Sequence, residues 1–181
     1  MYFLTYGPFD IPLKKRQIPL DRRDHLHREL WDSVNEGPVG EEGLASACGC
    51  YIFALQNAKT LKPWYIGKAG KQTFRQECFN KRNIKVYNEI LEDTRGRAKL
   101  YLVARLTDGN KFSSPAAGKH GWRDIDFLEK FLIGKGLDAN NDLANLRDTG
   151  LRRNVVFEGV LNSSPGRRET PTQHMHSMFS K

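Results

Sequence analysis

Cysteine is scarce in this chain of 181 residues, with only Cys48, Cys50 and Cys78 present. Three thiols cannot all pair internally, and they lack the two doublets of a zinc ribbon, which excludes a disulfide scaffold and a cysteine-built zinc site. They read as reduced packing residues. Long apolar runs are also missing. No stretch approaches the roughly 18 residues of a spanning helix, and the opening MYFLTYGPFD has neither the basic start nor the apolar length of a signal peptide. The expectation is a protein outside the membrane in an intracellular, cytoplasmic setting. Acidic residues run short too, 21 against 29 Lys plus Arg, giving a net charge of +8. That balance favours an anionic partner, nucleic acid ahead of an acidic membrane surface. The 39% hydrophobic content is enough for a core, so disorder throughout is excluded.

The basic surplus is local. Residues 1–45 carry a net −2, residues 46–160 a net +8 and residues 161–181 a net +2. Three parts are expected: an N-terminal arm and helix over 1–45, a central domain over 46–160, and a mobile tail over 161–181 rich in Ser, Pro, Thr and His. Pro8, Pro12 and Pro19 suggest an extended arm, and the spacing of Leu26, Leu30 and Val34 predicts a helix from Asp21 to about Val34. Tyr51–Leu55 and Trp64–Ile66 read as two strands of a hairpin. Helical spacing follows from Lys71, with a break at 80–83, then a strand over Leu100–Leu106 and a loop over 109–121. Trp122, Ile125, Leu128 and Leu132 make the stripe of a last helix, expected to stop at Gly134 and Gly136. Val155–Phe157 reads as a final strand. The fold class is therefore α/β of the α+β type, a small, mainly antiparallel sheet of about three strands flanked by helices.

The informative residues cluster on the hairpin and just beyond it. Gly49-Cys50-Tyr51 lies on the first strand, Tyr65-Ile66-Gly67-Lys68 ends the second, Arg75 stands ten residues after Tyr65, and Glu129 sits on the last helix. This ordered set resembles the GIY-YIG nuclease family over roughly residues 48–147. The resemblance implies a metal-dependent endonuclease hydrolysing DNA phosphodiester bonds, of restriction or phage type, with Mg²⁺ or Mn²⁺ as cofactor. It also implies the roles: Tyr51 takes part in activating water, Tyr65 assists or contacts phosphate, Arg75 stabilises the transition state, and Glu129 holds the metal. Lys68 would lower a tyrosine pKa or bind phosphate, and Asn145 resembles an asparagine near the end of many family domains. The chain departs from the family where a histidine or tyrosine often follows the arginine, having Phe79 and Asn80 there; Tyr87 or His120 would have to fill that role.

The residue types suit this chemistry on their own account. Arginine offers a fixed fork of donors to phosphate oxygens. A glutamate is a hard ligand for one Mg²⁺. A tyrosine near pKa 10 needs a neighbouring cation to act as a base. Gly67, and Gly49 with it, would let phosphate approach the backbone. Against these stand plainer readings: strand tyrosines usually pack, a helical arginine is usually solvated, and Asp126, one turn before Glu129 on a neighbouring face, is the substitute ligand. His25, His27, His174 and His176 read as surface residues. Between Lys59 and Lys85 eight basic residues face the single acid Glu77, so Lys71, Lys81, Arg82 and Lys85 are expected to carry phosphate contacts. Cutting both strands calls for a homodimer or two visits. The alternative is a catalytically silent nucleic-acid-binding module on the same fold.

Overall fold

Tyr2–Asp10 forms strand β1 and His25–Glu36 helix α1, whose N-cap Asp24 accepts the Leu26 amide. A 3₁₀ turn at Leu44–Ser46 leads into β2 (Gly49–Gln56) and β3 (Leu61–Ala69). Then come the one-turn helix α2 (Phe74–Glu77), α3 (Lys81–Asp93), β4 (Arg97–Leu106) and α4 (Arg123–Ala139). The computed structural model describes residues 2–58, 60–118 and 121–145, with 173, 177 and 178. It divides into two units, Met1–Ala144 and Asn145–Lys181, and all the elements above belong to the first. Lys59, His120, the strand expected at 155–157 and the boundary expected at 160 lie outside the described residues. Among the described residues no helix is long and apolar enough to cross a membrane.

The architecture is α+β with four strands in the order β1-β4-β2-β3, every pair antiparallel. The additional strand is β1. The expected arm is extended as its prolines suggest, but it is hydrogen-bonded to β4 along the sheet edge, with a register shift between Tyr6 and Phe9 that takes in Pro8. An edge strand tolerates proline because one side of its backbone needs no partner.

Period-two alternation in β2 serves both faces of the sheet. Tyr51, Phe53 and Leu55 enter the larger core with Leu30, Trp31, Ile84 and Tyr87 of α1 and α3. Cys50 packs with Ile125, and Ile52 with Ile66, Ile133 and Leu137, so the opposite face is covered by α4. A strand buried on both faces reads as a near-continuous apolar run, which is how β2 and β4 look in sequence.

Two glycine expectations change here. α4 runs through Gly134 and Gly136 to Ala139, and Gly136 is a packing glycine: a Cβ there would come within 2.7 Å of Ile66 Cδ1. The helix lies close to β3 because that position is bare. His27, read as a surface residue, is buried, its Nε2 2.7 Å from the Pro19 carbonyl oxygen and its ring edge-on to Phe79.

Candidate functional site

The free edge of β3 is where the candidate residues meet. Tyr51 lies on β2 directly opposite Gly67 of β3, and a Cβ on Gly67 would collide with the Tyr51 ring and hydroxyl. The glycine therefore lets the tyrosine cross β3 and bring its hydroxyl to the edge. The space above Gly67 is filled by that ring, so the expected approach of a phosphate to this backbone gives way to a packing role. Gly49 is likewise closed off, since a Cβ there would abut the Val103 carbonyl and the Phe74 ring.

At the edge the hydroxyls meet α3. Asn83 donates from Nδ2 to Tyr51 Oη at 2.8 Å and to the Glu77 carbonyl at 2.9 Å, and its Oδ1 accepts from Tyr65 Oη at 3.3 Å. One buried carboxamide thus orients both tyrosines, whose rings are stacked 6.3 Å apart. Asn80 caps α3 by accepting the Asn83 amide, which sets the rotation of the helix and places Asn83 inward.

Burial raises the pKa of Tyr51 well above its ordinary value and that of Tyr65 less far. Tyr51 is 1% exposed, whereas Tyr65 is part-exposed and feels Arg82, which pulls its pKa down, and Glu129 and Glu77, which push it up. The cation beside a tyrosine is thus Arg82, and Lys68, expected in that part, lies on the other face of β3. Tyr87 is fully buried, stacked on Phe53 at 4.4 Å, and its hydroxyl makes no well-formed hydrogen bond. It belongs to the core that supports Tyr65.

On the α4 side Lys68 Nζ lies 2.7 Å from Glu129 Oε2 and 3.0 Å from Asp126 Oδ1. Burial lowers the Lys68 pKa, but the hydrogen bonds it donates to Glu129 and Asp126, with their charges, outweigh that and raise the pKa to about 12. Glu129, the expected ligand, and Asp126, its substitute, face the same nitrogen. The helix carrying them is pinned by Arg105, whose Nε donates to Asp124 at 2.6 Å, whose Nη1 donates to Ser113, and whose guanidinium lies 3.9 Å from the Trp122 ring centre. Sequence reading missed Arg105, Asn83 and Glu77. The last is half-buried, its pKa raised by burial, opposed by Arg22 and by the Asn80 hydrogen bond at 3.1 Å.

A cleft of about 660 Å³ opens beside this edge, lined by Lys68, Lys71, Gln72, Glu77, Arg123 and Asp126 among others. Lys71 is the expected phosphate contact that lines it. Lys81 and Lys85 are exposed on the outer side of α3, and Arg75 lines a different recess, towards α1. Asn145 opens the second unit. Among the described residues no group of three or more His, Cys, Asp or Glu side chains is arranged to hold a metal ion. Mg²⁺ bound with a phosphate substrate takes only one or two protein carboxylates, the rest of its shell being water and phosphate oxygen. Asp126 and Glu129, already converging on one ammonium, fit that smaller demand. Compared with family models, curated proteins and solved structures, the chain matches none.

Proposed function

We propose that the chain is a metal-dependent endonuclease of GIY-YIG type that hydrolyses DNA phosphodiester bonds in the cleft at the edge of β3. The observation that carries the reading is the convergence of unlike groups on that edge: two tyrosine hydroxyls held by Asn83, a carboxylate pair on α4, and lysine and arginine side chains around an open cleft. A structural cluster has no need of this mixture, whereas attack of water on a phosphodiester uses each part.

In this reading the part-exposed Tyr65 orients the attacking water, and Tyr51 holds it in line through Asn83. Their raised pKa values suit neutral phenols that position by hydrogen bonding at pH 7 better than free phenolates. Lys71, Arg123 and Arg82 supply cations for phosphate oxygens at the cleft and beside Tyr65. Glu129 and Asp126 would hold Mg²⁺ or Mn²⁺, which when bound stabilises charge on the departing oxygen. Arg75, given the transition-state role by the resemblance, lines its own recess and suits contact with the DNA backbone.

Plasmid incubated with the protein and Mg²⁺ or Mn²⁺ tests the reading: nicked and linear DNA are expected. Salt-sensitive binding without cleavage under either metal would replace it with the silent binding module.

A further inference from the structure

Arginines gather a second time, away from the cleft. Arg22 and Arg23 precede α1, Arg28 lies in its second turn and Arg75 on α2, and together they line a recess of about 280 Å³ against Trp31. The carboxylate lining it is Asp24, already engaged as the α1 cap and with His25 Nδ1 at 3.1 Å. Asp21, just outside, holds Arg23. Arg22 donates to the Arg75 carbonyl at 2.6 Å, which ties α2 to the segment leading into α1. The Arg28 and Arg75 guanidiniums have no ion-pair partner among the described residues.

Asp21 holds Arg23 and the charge of Glu77 is felt at Arg22, so Arg28 and Arg75 are the recess cations left to repel each other, and an anion there relieves that repulsion. Arginine's planar fork matches phosphate oxygens. The placement names the source of that phosphate. Arg75 and Glu77 are two residues apart on the single turn of α2, so they point to nearly opposite sides of it, Arg75 into this recess and Glu77 into the cleft. A helix is about 10 Å across, so the two openings are separated by a short stretch of polynucleotide backbone.

We propose that the recess between α1 and α2 is a second phosphate site, holding a backbone phosphate of the same DNA strand whose scissile phosphate occupies the cleft. The inference rests on the nuclease reading and extends it: the net-acidic first 45 residues, outside the stretch expected to carry most of the phosphate contacts, would set the register of the strand.

The test is the salt dependence of binding to a fluorescein-labelled 20-bp duplex, read by anisotropy in EDTA so that no cutting intervenes. Arg28→Ala, which removes no hydrogen bond among the described residues, and the Arg22→Ala/Arg28→Ala pair are compared with the wild type. Arg97→Ala, at the far end of β4, is the control for general charge. Each recess arginine removed should flatten the slope of log K against log salt by about one unit. The pair should weaken binding on the order of tenfold, and Arg97→Ala should leave the slope alone. Wild-type slopes in both recess variants would overturn the second site and leave the nuclease reading intact. A wild type that neither binds nor cuts duplex would overturn the nuclease reading and the site together. Inorganic phosphate raising the melting temperature of the wild type but not of the pair, with unchanged DNA slopes, would assign the recess to free phosphate and overturn the DNA assignment.

Discussion

Asn83 is where the two tyrosines become one unit. Its amide nitrogen serves Tyr51 and a backbone carbonyl while its oxygen serves Tyr65. Gly67 has the complementary part of leaving room for the Tyr51 ring. Gly67→Ala forces that ring aside, and overpacking of this kind costs about 1–3 kcal/mol. A fall in melting temperature on that scale is expected by calorimetry, with Tyr51 displaced from Asn83. Glu77 behaves differently. Its folded pKa is raised above 4.5 by burial, so its ionised form opposes folding. That unfavourable contribution is absent below the unfolded pKa and develops as pH rises through the folded one. Glu77→Gln keeps an oxygen for Asn80 and removes the charge. The variant should melt above the wild type at pH 7–8, with the gap closing as pH falls towards 4.5; melting curves across that range check both sign and window. Asn83 could not be singled out from sequence, because its importance comes from three partners on three elements, whereas Tyr65 and Glu129 stood out through their place in an ordered motif.

At the scale of elements, α4 decides whether the carboxylates meet Lys68, and the Arg105–Asp124 pair decides where α4 starts. Both side chains of that pair are largely buried, at 13% and 8% exposure. Arg105→Met leaves Asp124 without its charged partner, and breaking a buried pair in this way costs about 3–5 kcal/mol. Chemical denaturation should report that loss, and the Asp124→Asn/Arg105→Met pair should recover part of it. The elements differ in how plainly the sequence announces them. The hairpin of β2 and β3 and the helices α1 and α4 are legible because apolar spacing matches their period. β1 is obscured by Pro8 and Gly7, which an edge position accepts. The end of α4 is misread because Gly136, which resembles a helix stop, is selected by contact with Ile66, a residue 70 positions earlier.

For the whole molecule, the net charge of +8 resolves into places. Part of it surrounds the cleft at the β3 edge, and part sits in the recess beside α1. The sheet puts the candidate groups at one edge: β3 is an edge strand, with Tyr65 on one of its faces, bonded to Asn83, and Lys68 on the other, lining the cleft. On the proposed function, this opening hydrolyses DNA with Glu129 as a metal-holding carboxylate. Single-turnover cleavage of an end-labelled duplex in Mg²⁺ or Mn²⁺, wild type against Glu129→Gln with matched melting temperatures, tests it most directly. Cutting by the wild type and a loss on the order of 10²–10³-fold in the variant are expected. A wild type that leaves the duplex intact with both metals, or a Glu129→Gln variant that cuts at the wild-type rate, would contradict it.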